Sequence, residues 1–330
     1  NGGGVDAHFN GSIDEVTLWN RSLSADEIFE LYDRGKFRRG NFLSQTFDAN
    51  AVVNWTYLSY SQEVPYQKEI GRATGDGNDA VQEDGFINTS GLVLLMHFNN
   101  ESSENNSLVK DFSVEVNSDR AGSRHNNGTC RAGDNCPIYN FTNKKLGNAS
   151  MHFNASSKTG QPTGSDSFIN ISHDPSLSLE NFTISLWVNL KASTTVNFAN
   201  FFMKRDEGTI INYNIQQNQP DSTFSFTIND GTNNVKVNTT TTYELGRWHH
   251  VVGARNTGED NLKIYLDGIL EGTATDTTTG TILSDAELLI GKDPFSQGQI
   301  NGSIDEVAVW NRSLSSDEIL KLYKRGALEL

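Results

Sequence analysis

The sequence predicts an all-β protein, in which two antiparallel sheets pack face to face and a short helix follows the closing strand. Three observations favour this class. Runs of β-branched, aromatic and aliphatic residues recur at short intervals along the 330 residues. Clusters rich in Gly, Asn, Ser and Thr separate these runs, and helical periodicity is confined to short stretches. Together the features indicate a sandwich of many short strands joined by polar turns.

The clearest local pattern is the closing unit Asn301–Gly326, NGSIDEVAVWNRSLSSDEILKLYKRG. Ile304–Trp310 has the β-branched and apolar composition of a strand. Ser315 then stands three residues before Glu318, which is the spacing of a capping box at a helix start. Apolar residues at helical spacing follow, and Gly326 is placed to end the helix. The unit therefore predicts a strand, a turn and a short helix.

Nearly the same unit occurs close to the start of the chain. Asn10–Gly35 and Asn301–Gly326 are identical at 20 of 26 aligned positions and lie 291 residues apart. A period this long fits whole domains in tandem rather than a solenoid. The copy at Asn301–Gly326 closes the complete domain, so we expect the copy at Asn10–Gly35 to close an earlier domain. Residue 1 is then expected to lie inside that earlier domain.

The repeat divides the chain into segments. Residues 1–70 are predicted to be the C-terminal part of a preceding module, 71–91 a linker rich in Gly and acidic residues, 92–326 a complete domain, and 327–330 the start of the next segment. The long polar stretch 99–143 is expected to be a loop. Other strands are predicted at Phe42–Asp48, Ala51–Tyr60, Leu92–Phe98, Ala149–Phe153, Phe168–Ser172, Phe182–Leu190, Asn200–Lys204, Thr209–Ile215, Thr223–Asn229, Val235–Thr239, His249–Arg255, Leu262–Leu266 and Glu287–Gly291.

The charge and hydropathy of the chain exclude several kinds of partner. The formal net charge is −15 at pH 7, and such a surface repels nucleic acid and anionic membranes. No run of 18 apolar residues occurs, so direct membrane insertion of this segment is not expected. Glycans or surface proteins are the partners that remain, with a homo-oligomer or filament as a further possibility.

Glycosylation motifs are unusually frequent. The sequence contains 15 Asn-x-Ser/Thr sequons, which predicts a heavily N-glycosylated protein at the cell surface or outside the cell. The alternative is that Asn, Ser and Thr co-occur simply because all three are common in loops. The sequon residues are Asn10, Asn20, Asn54, Asn88, Asn100, Asn105, Asn127, Asn140, Asn148, Asn154, Asn170, Asn181, Asn238, Asn301 and Asn311.

The two cysteines agree with an extracellular location. Cys130 and Cys136 enclose the short polar loop RAGDN, and a disulfide between them is predicted. A zinc site is the alternative, but it requires two more ligands at suitable spacing and none is nearby. The pairing therefore favours an oxidising compartment.

Five motifs follow one another along the complete domain: Phe182–Leu190, Arg247–Asn256, Leu262–Leu270, Leu288–Asp293 and the closing unit. As a set they resemble the laminin-G-like, concanavalin A-like jelly-roll modules, a group that includes the pentraxins, and residues 1–60 resemble the end of another such module. The resemblance implies a two-sheet jelly roll and a binding module of secreted or surface proteins, acting on glycans or proteins and often using calcium.

The resemblance also implies where calcium would bind. In pentraxin-like modules, ligands come from a loop after a KR-type sequence and from a loop after an LLIG-type strand. The corresponding loops here contain Asp206 and Glu207, and Asp293 and Gln297. Their side-chain oxygens suit a hard cation. The second loop lacks the acidic cluster of the pentraxins, and the alternative is that these residues are ordinary acidic loop tips.

Four other polar or aromatic residues are expected to be structural rather than to bind a ligand. Trp248 opens a predicted strand and is expected to pack, although an exposed tryptophan would suit a sugar. Asp267 precedes a glycine in a hairpin turn signal. His249 and His250 are adjacent in a strand, so they face opposite ways and are not expected to share a metal.

A non-enzymatic extracellular module for glycan or protein binding and adhesion is the function that these features favour. One alternative is a structural subunit of a surface layer or filament, assembled head to tail through the partial N-terminal module. A glycoside hydrolase is the other, because the same fold hosts such enzymes. Its usual strand pattern, Glu-x-Asp-x-x-Glu, is absent, so no catalytic residue is predicted.

Overall fold

A computed structural model of the chain describes residues 69–70, 87–101, 104–105, 107–113, 126–130, 136–154, 167–191, 198–218, 221–295 and 300–327. All of them belong to one unit, residues 64–327, and the second unit, residues 1–63 with 328–330, lies outside the described residues. Of the predicted preceding module, residues 1–70, only Glu69 and Ile70 are described, and they belong to the unit 64–327; the module itself stays a prediction. The sequons at Asn10, Asn20 and Asn54 and the calcium candidate Gln297 also lie outside the described residues.

The described chain contains 16 strands and one α-helix, as the sequence predicts for an all-β protein. Most predicted strands are present within one or two residues of their predicted ends. The stretch 99–143, expected to be a loop, differs because it contains three short strands. The strands are β1 (Leu92–Met96), β2 (Leu108–Val109), β3 (Gly128–Thr129), β4 (Ile138–Asn140), β5 (Ser150–Phe153), β6 (Ile169–Ile171), β7 (Phe182–Leu190), β8 (Phe198–Arg205), β9 (Ile210–Asn218), β10 (Thr223–Asp230), β11 (Asn234–Asn238), β12 (Trp248–Asn256), β13 (Asn261–Leu266), β14 (Ile269–Thr275), β15 (Leu288–Ile290) and β16 (Gly302–Trp310), followed by α1 (Ser316–Gly326).

The strands form two antiparallel sheets, which gives the predicted jelly-roll sandwich. The first sheet has the order β14-β13-β12-β7-β16-β5-β4, with β1 also paired to β16, and the second has the order β11-β10-β9-β8-β15-β6-β3-β2. The closing strand β16 lies inside its sheet. It pairs along one side with β7, while β5 pairs with its first half and β1 with its second half on the other side.

The main core lies between the sheets and follows the two-residue period of the strands. In β7, Phe182, Ile184 and Leu186 point into this core, whereas Trp187 packs on the other side against Tyr323. The apolar residues of the central strands are all buried: Trp187, Val188, Val251, Val252, Ile264 and Leu266. Both faces of β7 are covered, which explains why every residue of this strand is buried.

A second, smaller core lies on the outer face of the first sheet, beneath α1. The apolar side of the helix supplies Ile319 and Leu322, and the sheet supplies Leu95, Tyr265 and Trp310. Ile70, far upstream in the chain, is buried in the same cluster. The helix therefore acts as a cover for the sheet, because it hides apolar side chains that would otherwise face water.

The capping box predicted at the start of α1 is formed. The Glu318 N–H donates to Ser315 Oγ at 3.3 Å, and the Ser315 N–H donates to Glu318 Oε2 at 2.8 Å. Replacing Ser315 with alanine should lower the free energy of unfolding by about 1 kcal/mol, because the cap oxygen is lost. Urea unfolding measures this loss. Ser315→Thr, which keeps an oxygen at this position, should retain most of the stability; equal losses in both variants would contradict the capping role.

Two further predictions from the sequence are confirmed. Cys130 and Cys136 form a disulfide, with 5.6 Å between their Cα atoms. Asp267 and Gly268 form the two-residue turn between β13 and β14, and both have positive φ, at 49° and 79°, as a type I′ hairpin requires. No helix among the described residues is long and apolar enough to cross a bilayer.

Candidate functional site

The candidate site is a surface cleft beside the paired strands β8 and β15. Leu288 in β15 lies opposite Lys204 in β8, so the turn after β8 and the segment before β15 come together. The loop that follows β15 completes the walls. The cleft has a volume of about 400 Å³, within the range of small-ligand pockets. Its lining residues are Arg205, Asp206, Glu207, Asp285, Ala286, Glu287, Leu289, Pro294 and Phe295.

An exposed aromatic ring lies at the edge of this cleft. Phe295 is 50% exposed, and the guanidinium of Arg205 lies 5.0 Å from the centre of its ring. The Phe295 N–H donates to Asp293 Oδ1 at 2.9 Å, while Arg205 Nη1 donates to Asp293 Oδ2 at 3.4 Å. The buried carboxylate of Asp293 therefore holds both the loop and the guanidinium, and so positions the ring.

The turn after β8 is shaped by its own acidic residue. Asp206 Oδ1 accepts from the N–H groups of Gly208 at 3.0 Å and Ile210 at 3.2 Å. Glu207 is exposed next to it, and Asp285 and Glu287 face it from the segment before β15. The cleft thus brings four carboxylates and one guanidinium together around an apolar ring.

A buried lysine lies beneath the segment before β15. Lys204 is fully buried, and its Nζ donates to the main-chain oxygen of Ala286 and lies 3.4 Å from His173 Nδ1. Burial lowers the pKa of Lys204 to about 8, against the opposing influence of the Asp285 carboxylate. Lys204 fixes the main chain at Ala286 and therefore helps to shape the cleft.

The structure brings three of the four predicted calcium ligands to this region. Asp206 and Glu207 line the cleft, and Asp293 is joined to it through Arg205. One oxygen of Asp206 and one of Asp293 already accept main-chain N–H groups, and the Arg205 guanidinium lies against Asp293. Calcium at this place stays a prediction.

Sequence reasoning missed part of the cleft. Arg205 directly precedes Asp206 in the first of the two predicted calcium loops, and Phe295 lies between Asp293 and Gln297 in the second, yet the sequence analysis assigns neither a role. Phe295 carries a signal that could have been used, since a lone aromatic residue in a polar loop has no strand face to bury. Asp285 and Glu287 carry no such signal, because acidic residues are ordinary in loops.

The two adjacent histidines face opposite ways, as expected. His249 Nδ1 lies 3.1 Å from Asp267 Oδ2, and its ring packs against Phe224 of the second sheet. His250 Nε2 lies 2.8 Å from Ser185 Oγ, and its ring packs against Trp187 on the outer side. Both are structural residues. Trp248 opens β12, half-buried, and donates from Nε1 to Asn143 Oδ1 at 3.1 Å.

A separate group of side chains could hold a metal ion. Ligand atoms of Glu69, His97 and Glu306 all lie within 4.8 Å of one another. This is the one such group of three or more His, Cys, Asp and Glu residues within the part of the chain that the structure describes. The group lies on the outer side of the first sheet and contains none of the cleft residues.

Part of the domain is similar to a known superfamily. A family model described as the concanavalin A-like lectin/glucanases superfamily matches residues 163–320. C-reactive protein 3.3 of Limulus polyphemus is 28% identical over 157 residues, which are 44% of this chain and 62% of that protein. The chain thus spans less than two thirds of the curated relatives that it matches. The matched part of the domain is thus similar to this superfamily, and the two-sheet sandwich has the jelly-roll architecture that the resemblance implies.

Solved structures agree on the fold. The binding domain of Paraclostridial Mosquitocidal Protein 1 has a TM-score of 0.53 at 13% identity, over 71% of this chain and 52% of that chain. Domain 4 of AbnA, a GH43 extracellular arabinanase from Geobacillus stearothermophilus solved in complex with arabinotriose, has a TM-score of 0.51 at 18% identity, over 70% and 98%. The domain therefore has a fold that occurs in binding domains.

Proposed function

We propose that this domain is a non-enzymatic extracellular binding module that holds a glycan in the cleft beside β8 and β15, and that it serves adhesion at the cell surface. The observation that carries the proposal is the exposed ring of Phe295, held by Asp293 and flanked by Arg205 in a concave surface that also carries carboxylates. A fold of this kind does not assign a ligand by itself, so the argument rests on the chemistry of the cleft.

The cleft matches the mixed chemistry of a sugar. A pyranose or furanose ring has an apolar C–H face, which can pack on an aromatic ring such as Phe295. Its hydroxyl groups can donate to carboxylates such as Asp206, Glu207 and Glu287, and can accept from Arg205. A few convergent polar groups around an apolar surface are the usual design of small-ligand sites. A protein ligand remains the broader alternative, since the same groups bind peptide side chains.

Two independent features support an extracellular setting. The Cys130–Cys136 disulfide is formed, and disulfides persist in oxidising compartments. The sequon residues within the described chain are all exposed or half-buried, which leaves them accessible to glycosylation. The exposed ones are Asn88, Asn100, Asn105, Asn148, Asn154, Asn238 and Asn311.

Calcium is part of the proposal as an optional cofactor of the same cleft. The cation would bind carboxylate oxygens of Asp206, Glu207 and Asp293, with Gln297 as a fourth ligand, and would supply a bridge to sugar hydroxyl groups. At Asp293 it would compete with the Arg205 guanidinium. The experiment therefore compares binding with calcium and with a chelator.

A glycan array with matched variants tests the proposal. The wild-type domain should bind a defined set of glycans, and Phe295→Ala should weaken that binding by about tenfold or more, because the aromatic platform is removed. Phe141→Ala is the control, since Phe141 is equally exposed at 56% but is not among the cleft residues. No binding with or without calcium, or equal binding by both variants, would overturn the assignment.

A further inference from the structure

A buried polar cluster lies on the outer side of the first sheet, away from the cleft. Met96 pairs with Val307 across β1 and β16, so His97 and Glu306 stand opposite each other at the end of this pairing. The exposed fractions are only 1% for His97 and 2% for Glu306, and His97 Nδ1 contacts Glu306 Oε1 directly. Glu69, which lies upstream of β1, completes the group.

Neighbouring groups fix the orientation of all three side chains. The Ile70 N–H donates to Glu306 Oε2 at 3.0 Å, which leaves Oε1 directed at His97. The ring of Phe112 packs 5.1 Å from the ring of His97. Asn99 Nδ2 donates to Glu69 Oε1. Such outer contacts are typical of sites that hold ligands in place before a metal arrives.

The charge of the cluster favours a cation. Glu69 and Glu306 bring two carboxylates, and the buried Arg325 brings one guanidinium, which donates to the main-chain oxygen of Glu69. Two carboxylates that converge on one buried imidazole make a set of electron-pair donors, which suits a cation.

We infer that Glu69, His97 and Glu306 form a binding site for a divalent transition-metal ion, with zinc as the best match. One imidazole nitrogen and two carboxylate oxygens make a mixed donor set that suits zinc or manganese, whereas calcium and magnesium prefer oxygen donors alone. The ligand atoms lie within 4.8 Å of one another, so small side-chain rotations bring all three to about 2.0–2.2 Å from one ion.

Metal binding at this place ties three separate parts of the chain together. The ion would join Glu69, the end of β1 and β16. Glu69 and Glu306 are more than 200 residues apart in sequence.

Zinc titration of the full chain tests the site. After removal of metal with a chelator, calorimetric titration with zinc should show a single site per chain, and cobalt in its place should give a visible absorption spectrum of a nitrogen- and oxygen-ligated ion. His97→Gln and Glu306→Gln should weaken zinc binding by on the order of 100-fold. His173→Gln is the matched control, because His173 also faces a carboxylate, with Nε2 at 3.4 Å from Asp285 Oδ1, but lies at the surface.

A third variant keeps the test decisive if His97→Gln or Glu306→Gln fails to fold. Glu69→Gln changes a half-buried residue and keeps the oxygen that accepts from Asn99, so this variant should fold and still lose zinc affinity. Absence of saturable zinc binding by the folded wild-type chain up to about 1 mM would overturn the inference and leave a proton-sharing His97–Glu306 pair. Undiminished zinc binding by the folded Glu69→Gln variant would overturn it as well.

Discussion

Replacing Arg255 with methionine should lower the free energy of unfolding by about 3–5 kcal/mol, because it leaves buried carboxylate charge without its partner. Arg255 is buried at the edge of the sandwich. Its Nε donates to Asp276 Oδ2 at 2.7 Å and its Nη1 to Glu180 Oε2 at 2.5 Å, while Nη2 donates to Thr278 Oγ1 at 2.9 Å. Methionine keeps much of the volume but none of these hydrogen bonds.

Urea unfolding followed by circular dichroism measures this effect, and Arg247→Met is the matched control. Arg247 also faces a glutamate, with Nη1 at 3.5 Å from Glu244 Oε1, but both side chains are mainly exposed. Exposed ion pairs contribute little, so this change should stay within about 0.5 kcal/mol. If the two methionine variants lost similar stability, the buried network would not be the cause.

The difference in unfolding free energy between wild type and Arg255→Met should also depend on pH. Burial alone would raise the pKa of Asp276, but hydrogen bonds from Thr278 and Arg255, with the guanidinium charge, lower it overall. A carboxyl with a lowered folded-state pKa stabilises the protein at neutral pH, and this stabilisation is lost as the pH falls from about 4 through that pKa. The difference between wild type and Arg255→Met should therefore shrink in acid; a difference that grows would contradict the assignment.

Leu322→Ala should be the second most damaging change, with a loss of about 2–5 kcal/mol of unfolding free energy. Leu322 is 3% exposed and packs in the smaller core beneath α1. Leu320, on the same helix, is 36% exposed. Truncation of Leu322 removes apolar contact and leaves a cavity against Trp310 and its neighbours, whereas truncation of Leu320 changes a side chain that water already reaches.

Chemical unfolding of both alanine variants measures this contrast. Leu320→Ala should lose less than about 1 kcal/mol, as exposed substitutions usually do. Tryptophan emission gives a second readout, since Trp310 is fully buried beneath the helix and should become more accessible only in Leu322→Ala. Equal losses in both variants would mean that the helix does not cover the sheet as described.

The sequence was sufficient for the parts of the fold with strong local signals. The closing strand, the capping box at Ser315 and Glu318, and the strand Phe182–Leu190 were all predicted at or near their observed positions. Each depends on neighbouring residues alone, since caps and strand alternation act over a few positions. The hairpin turn at Asp267 was predictable for the same reason.

Four strands were missed, and they lack such local signals. β14 (Ile269–Thr275) is exposed or half-buried along its whole length, so no buried apolar face marks it. β2 and β3 have two residues each and β4 has three, which is too short for a period to be visible. They exist because neighbouring strands pair with them. Likewise the metal-competent cluster joins His97 to a residue 209 positions away, so no spacing rule could have found it. The cleft was predicted only in part. Asp206 and Glu207 stand in a recognisable loop after β8, whereas the place of Phe295 depends on how its own loop, after β15, folds.

The burial of Ile70 has a mechanical consequence. Its N–H is held by Glu306 and the preceding carbonyl by Arg325, whereas the first strand of the domain begins only at Leu92. A pulling force that arrives through residues upstream of Glu69 therefore reaches the closing strand and α1 first, and β1 is shielded until this attachment gives way.

Arg325 and Glu306 recur in the N-terminal repeat as Arg34 and Glu15. In a protein that carried such attachments in series, each attachment would take up the load before the strands of its own domain separated.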